Sequence, residues 1–278
     1  MRYCRFIFEH EPHYGVVEER DGEMWIVGLA AIPPEDAAGQ LARVRTEAAQ
    51  ALVTELASAD FEPLPLNAAQ LLPPVTPSKI VCVGRNYRDH AKELGNEVPA
   101  EPLLFFKPPS SLLAPGGAVR MPAQSERVDF EGELALLIGK RATKLKADES
   151  WRGFVRGYTL ANDVTARDLQ KKDGQWTRAK GFDTFCPVGP LVSDEIDPVA
   201  GLTIETRVNG ELRQQGSTRD FIFGIPELLA YITAAITLEA GDLVLTGTPA
   251  GVGALQPGDR VDVAMEGLGV LTNPFAAD

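Results

Sequence analysis

Phe130-Glu131-Gly132-Glu133-Leu134 sets two carboxylates at positions i and i+2. In a β-strand such positions share a face about 6.6 Å apart, where two charges repel by roughly 2–3 kcal/mol at an effective dielectric of 20. Ala135 and Leu137 continue that face as apolar residues, which favours a cation between the carboxylates over the plainer alternative, a solvated strand face. Asn162-Asp163-Val164 offers a third oxygen ligand, since Asp163 shares its strand face with Val155, Gly157, Thr159 and Ala161, all small. Taken singly, Asp163 also suits a turn or cap. Together, Glu131, Glu133 and Asp163 form an all-oxygen set suited to Mg²⁺ or Mn²⁺ rather than Zn²⁺. The only histidines are His10, His13 and His90, too few and too scattered for an HExxH zinc site or a multi-histidine cage.

His90 and Glu93 stand at i and i+3, neighbours on one turn of helix. A carboxylate beside an imidazole raises its basicity and fixes its tautomer, as a general base requires; an ordinary surface pair on a helix has the same spacing. Lys180, in Trp176-Thr177-Arg178-Ala179-Lys180-Gly181-Phe182-Asp183, could stabilise a developing enolate or carboxylate, or simply face solvent. The glycine-rich Thr246-Gly247-Thr248-Pro249-Ala250-Gly251-Val252-Gly253 lacks the Walker lysine and the GxGxxG spacing, so it is not read as a nucleotide loop.

Mostly strands must position these groups. Val16-Val17 and Trp25-Ile26-Val27 flank Asp21-Gly22, a hairpin signal. Leu41, Val44, Ala48, Ala51, Leu52 and Leu56 recur at helical spacing. Prolines 63, 65, 73, 74 and 77 then make a linker, so a small N-terminal α/β domain over 1–75 is predicted, followed by a catalytic domain over 76–278. In the second part, Ile80–Val83, Phe130–Ile138, Phe154–Val164, Leu202–Val208, Leu243–Thr246, Arg260–Met265 and Val270–Thr272 read as strands. Pro108–Pro122 reads as a loop, and one clear helix opens at Pro226. The fold class is mixed α/β, predominantly β, with a rolled or barrel-like second domain.

Composition removes several classes of function. With 27 basic and 39 acidic residues the net charge is −12, which argues against a nucleic-acid partner. Cys4, Cys82 and Cys186 lie far apart and make neither a disulfide framework nor a CxxC pair, as in a reducing compartment. No apolar run approaches the roughly 20 residues of a membrane span, and the cytoplasm is the expected location.

Several of these motifs occur in a fixed order: Gly84-Arg85-Asn86-Tyr87 with Asp89-His90, Glu131-Gly132-Glu133-Leu134, Asn162-Asp163-Val164-Thr165-Ala166-Arg167-Asp168, Lys180-Gly181-Phe182-Asp183-Thr184 and Thr246-Gly247-Thr248-Pro249. From about Pro77 to the C-terminus the chain closely resembles the fumarylacetoacetate hydrolase (FAH) family. The N-terminal part resembles the accessory domain of bacterial members often labelled hydroxyheptadienedioate isomerases. The resemblance implies an FAH-type β-roll, a homodimer, and a divalent cation at the mouth of the roll. It implies Glu131, Glu133 and Asp163 as metal ligands, His90 as the catalytic histidine with Glu93 its partner on a short lid helix, and Lys180 as the active-site lysine. Arg167, Gln170 and Thr248 match positions lining the substrate pocket. Members that hydrolyse fumarylacetoacetate itself carry a larger N-terminal domain and a further metal carboxylate upstream of the histidine. Here Val83 and Gly84 occupy that neighbourhood, which points to a different substrate.

The leading expectation is a Mg²⁺- or Mn²⁺-dependent hydrolase that cleaves a carbon–carbon bond in acylpyruvate-like 2,4-dioxo acids through an enolate, with His90 and Glu93 activating water. The first alternative is a 2-hydroxyhepta-2,4-diene-1,7-dioate isomerase or an oxaloacetate-type decarboxylase in aromatic-compound breakdown. The second is a non-catalytic, metal-stabilised dicarboxylate-binding module. In each case the partner is a small 2-oxo acid or dicarboxylate.

Overall fold

The computed structural model describes residues 1–30, 61–93, 95 and 97–277. The helix predicted between Leu41 and Leu56 lies outside the described residues.

The chain opens with β1 (Arg2–Phe8), β2 (Glu11–Arg20) and β3 (Glu23–Ala30). Asp21 and Gly22 take φ of 51° and 81° between β2 and β3, the two left-handed positions that a tight hairpin turn needs. After the prolines come β4 (Ile80–Gly84), a one-turn-and-a-half helix α1 (Arg88–Glu93) and β5 (Leu103–Lys107). The sheets continue with β6 (Val128–Phe130), β7 (Gly132–Ile138) and β8 (Val155–Asn162). Two short helices, α2 (Arg167–Asp173) and α3 (Thr177–Gly181), precede β9 (Cys186–Ser193). The hairpin of β10 (Thr203–Val208) and β11 (Glu211–Ser217) follows, then α4 (Ile225–Ala235). The last strands are β12 (Leu243–Leu245), β13 (Arg260–Met265) and β14 (Gly269–Ala277).

Among the described residues these elements form a 12-stranded sheet, a five-stranded sheet and a three-stranded sheet. The large sheet runs β3-β2-β1-β9-β8-β7-β12-β4-β5, with two-residue strands at Leu64–Pro65, Leu71–Leu72 and Leu112–Leu113 added to it. The N-terminal hairpin joins the rest through Arg2 opposite Ser193 and Tyr3 opposite Val192. The five-stranded sheet runs β11-β10-β13-β14 and then Val119–Met121. Every residue of β7 and of β9 is buried, because both faces of the large sheet are covered there, which explains why these strands read as near-continuous apolar runs. Phe130, Leu134, Leu136, Ile138, Leu160 and Phe185 belong to one core cluster with Leu229 and Ile232 of α4. Pro226 sits in the first turn of that helix, where its missing N–H costs nothing.

Three expectations change. The run Phe130–Ile138 is two strands in two sheets, β6 and β7, hinged at Glu131. Pro108–Pro122 is not wholly a loop, since Leu112–Leu113 and Val119–Met121 pair with β9 and β14. The last strand is longer than Val270–Thr272 and runs on through Pro274. Among the described residues no helix is long and apolar enough to cross a membrane.

Candidate active site

Glu131 stands where the chain leaves the three-stranded sheet for the large one. Its backbone N–H donates to the Asn162 side-chain oxygen at 2.9 Å, and its carbonyl accepts from the Asp163 N–H at 2.8 Å. The hinge and the end of β8 are thereby bolted together. The backbone passes so close to β10 that a Cβ on Gly132 would run into the Thr206 hydroxyl, so glycine is required at that position. The expectation that Glu131 and Glu133 share one strand face is replaced by this geometry, and Asp163 lies one residue beyond β8 rather than in it. The three carboxylates nonetheless converge: each offers an oxygen within 4.8 Å of the others. All three residues are buried.

Cations surround them. Lys180 Nζ donates to Glu131 Oε2 at 2.9 Å and to Asp163 Oδ2 at 2.6 Å. Lys107 Nζ donates to Asp163 Oδ1 at 2.7 Å and to the Val164 carbonyl at 3.1 Å. Arg167 pairs with Glu131 and, at 2.9 Å, with Asp129, while its third arm donates to Gln170 at 2.7 Å. Burial pushes the Glu131 carboxyl up, but Lys180 and Arg167 outweigh it and hold it well below the usual carboxylate range. Glu133 goes the other way: burial and then the charges of Asp163 and Glu131 push it well above that range. Its Oε2 accepts the Gly247 N–H at 2.7 Å. Three buried hard oxygen donors converge here, and Glu133, with no ion-pair partner among the described residues, is driven towards protonation by burial and by its two neighbours, so a divalent metal fits this site.

His90 and Glu93 come from a different part of the fold. His90, on α1, is buried, and its Nδ1 lies 3.5 Å from Glu93 Oε2 with no hydrogen-bond partner. Burial pulls the imidazole below its ordinary value, Glu131 opposing, which keeps the ring neutral near pH 7. Glu93 is tied across to the glycine-rich loop, accepting the Gly251 N–H at 3.1 Å on both oxygens. Gly251 holds φ of 102° and a Cβ there would strike the Arg213 carbonyl; the glycine lets this loop reach the helix. Thr248 donates to the Gly132 carbonyl at 2.8 Å and accepts from Gln214 at 2.8 Å, so the same loop is fastened to the carboxylate hinge.

His90, Glu93, Glu131, Glu133, Asp163, Arg167, Gln170, Lys180 and Thr248 all line one cavity of about 420 Å³. Arg85, Phe105, Arg127, Lys171 and Trp176 line it too and were not singled out from the sequence. Nor were Lys107 and Asp129, both fully buried with charged partners. Lys107 had one local signal, a lone cation in the apolar run Leu103-Leu104-Phe105-Phe106, but its partner is 56 residues away.

Comparison with known proteins agrees with this architecture. Residues 79–276 match the model described as fumarylacetoacetate (FAA) hydrolase C-terminal. The chain belongs to the fumarylacetoacetate hydrolase family. Human oxaloacetate tautomerase FAHD2A, mitochondrial, is 39% identical over 98% of this chain and 91% of that one. The mitochondrial oxaloacetate decarboxylase of Dictyostelium discoideum is 45% identical over 69% of this chain and 91% of its own. Among solved structures, a 2-hydroxyhepta-2,4-diene-1,7-dioate isomerase from Mycobacterium marinum is 38% identical and superposes with a TM-score of 0.83 over 100% of this chain and 99% of that one. These relatives are enzymes, and the mostly-β architecture is the one they share.

Proposed function

We propose that this chain interconverts the keto and enol forms of a small 2-oxo dicarboxylate of the oxaloacetate kind, with Mg²⁺ or Mn²⁺ held by Glu131, Glu133 and Asp163. The observation that carries the reading is His90: a buried, neutral imidazole whose Nδ1 faces Glu93, lining the same cavity as the three carboxylates. A divalent cation, when bound, supplies Lewis-acid polarisation of the 2-oxo acid end of the substrate. His90 takes the proton from the carbon beside the carbonyl through its second nitrogen, Nε2. The C–H electron pair becomes the C=C bond, the carbonyl pair moves onto oxygen, and the proton is returned there. Glu93 steadies the imidazolium formed between those two transfers. Lys180 keeps Glu131 and Asp163 in place and contributes positive charge beside the developing enolate. Loss of CO₂ from oxaloacetate leaves a different enolate, that of pyruvate, with its charge on the same carbonyl oxygen, so the same groups would stabilise it and decarboxylation belongs to the same reading. The names of the tautomerase and decarboxylase relatives support this substrate class over an acylpyruvate.

Acylpyruvate hydrolysis is the second reading. The cavity of about 420 Å³ favours keeping it, because a five-carbon acid such as acetylpyruvate leaves room for a water molecule that His90 and Glu93 would activate. With Mg²⁺ present, decay of the enol absorbance of oxaloacetate and pyruvate release from acetylpyruvate separate the two. Faster enol decay, lost by about 10²–10⁴-fold in His90→Ala, is the expected result. Unchanged enol decay together with rapid cleavage of acetylpyruvate would replace enolisation by hydrolysis.

A further inference from the structure

Among the described residues, two cations at the cavity have no acid to balance them. Lys180 is paired with Glu131 and Asp163, Arg167 with Asp129 and Glu131, and Arg127 with Asp129. Arg85 and Lys171 also line the cavity, and among the described residues neither side chain has a hydrogen-bond or ion-pair partner. Arg85 is held in place by other means. Its guanidinium carbon lies 5.9 Å from the centroid of the Trp176 ring, a cation–π contact that orients the planar fork without using its N–H donors. Trp176 meets Phe105 edge-on at 5.3 Å between centroids, and Lys180 Nζ lies 4.9 Å from the centroid of Phe105. Two aromatic rings therefore separate Arg85 from the carboxylate cluster, as an apolar wall with charge at both ends. The Arg85 backbone has φ of 56°, an unfavourable conformation for arginine that clusters at ligand-binding positions in proteins.

We propose that Arg85 is the specificity residue for the end of the substrate remote from the 2-oxo acid, receiving a second carboxylate, with Lys171 adding charge from α2. The chain of the substrate lies along Phe105 and Trp176, and the class selected is 2-oxo dioic acids over 2-oxo monocarboxylic acids of equal length. An arginine fork matches a carboxylate with two parallel hydrogen bonds, and its guanidinium sits on the ring before any ligand arrives. This rests on the enolisation reading for the chemistry but not for the binding preference.

The test is calorimetric binding to the full chain in Mg²⁺, using 2-oxoglutarate and 2-oxopentanoate, which differ by one carboxylate. The wild-type protein is expected to prefer 2-oxoglutarate by about 10- to 100-fold, the worth of one charged hydrogen-bonded contact. Arg85→Gln removes most of that preference and leaves 2-oxopentanoate affinity unchanged; Arg85→Lys falls between. Lys171→Gln, on an exposed helical position, lowers the preference more modestly. Equal affinity for the two acids in the wild-type protein, no binding of 2-oxoglutarate at millimolar concentration, or a preference that survives Arg85→Gln would each overturn the assignment. A preference that Arg85→Gln abolishes, in a protein inert on oxaloacetate, would uphold the subsite and remove the enolisation reading. Turnover of oxaloacetate with no dioate preference would do the reverse.

Discussion

Lys107→Met removes a cation that the cluster depends on while leaving its packing almost intact. Methionine keeps the unbranched stem and adapts to irregular cavities, so the change isolates charge and hydrogen bonding. Lys107 is 1% exposed, its ammonium 2.7 Å from Asp163 Oδ1 and 3.1 Å from the Val164 carbonyl. Breaking a buried ion pair from one side costs about 3–5 kcal/mol. Asp163 keeps Lys180 at 2.6 Å, which limits the loss to the lower part of that range, about 3–4 kcal/mol, with roughly 1 kcal/mol of it from the orphaned carbonyl. At about 2–4 °C per kcal/mol for a chain of this size, Tm in metal-free buffer falls by about 6–16 °C. A double-mutant cycle with Asp163→Asn isolates the pair and should return a coupling of about 2 kcal/mol. Added Mg²⁺ restores positive charge beside Asp163, so it raises Tm more in Lys107→Met than in the wild-type protein. A variant that melts within about 2 °C of wild type without metal would refute the reasoning: desolvation of the ammonium would then offset the whole of its attraction to Asp163.

Glu131→Gln is expected to weaken Mn²⁺ binding by ten-fold or more in a titration, because an anionic ligand becomes a neutral one; unchanged affinity would take Glu131 out of the metal site. Glu93→Ala cuts the link between α1 and Gly251 and unpairs His90, so kcat should fall at least ten-fold while Mn²⁺ affinity holds; equal losses in both would show a general collapse of the cavity instead. Burial pushes the thiols of Cys4 and Cys186 up to about 12 and that of Cys82 well above its ordinary value. A raised pKa leaves a thiol protonated below it, so at pH 8 the native protein should resist alkylation, and all three cysteines should label after denaturation. Rapid labelling of the folded chain at pH 8 would contradict the burial assigned to them.

The parts of the site that were legible from sequence are those whose signal is local. His90 and Glu93 sit one helical turn apart and do meet, and Asp163 follows directly on a strand that ends at Asn162 and whose Gly157, Thr159 and Ala161 are buried. Strand periodicity found β4, β8, β10 and β13 within a residue or two because each alternates or runs apolar over its whole length. The hinge at Glu131 was not legible. A run Val-Asp-Phe-Glu-Gly-Glu-Leu reads as one strand, and only contact with Thr206, 74 positions on, shows why the chain must bend at Gly132. Lys107, Asp129 and Arg85 escaped for a related reason. A charge is recognised by its partner, and partners as distant in sequence as Asp163 for Lys107, Arg167 for Asp129 and the Trp176 ring for Arg85 leave no spacing to read. The seam between Arg2-Tyr3 and Val192-Ser193 is equally a product of long-range register.

The two halves of the site are secured in different ways, and this bears on how they can act. Glu131, Glu133 and Asp163 hang from buried strands, cross-braced by backbone hydrogen bonds and by Lys107, Lys180 and Arg167. Moving Glu131 or Asp163 breaks buried ion pairs, and moving Glu133 breaks its bond from the Gly247 N–H, so this half is a fixed frame. His90 and Glu93 ride on a helix of six residues, too short to hold itself together. The chain just before the helix is held by buried bonds from Asn86 to Phe223 and Thr246, while the helix itself is held through Glu93 to Gly251, an exposed contact, and through the packing of Ala91 and His90. Local opening costs least where buried contacts are few. If His90 is the base of the proposed reaction, α1 is the element whose opening would release it, and a substrate that fills the cavity would add contacts only to the state in which α1 is seated. On the proposed reading, the frame would set where the 2-oxo acid sits, and the helix would set when a proton could leave it.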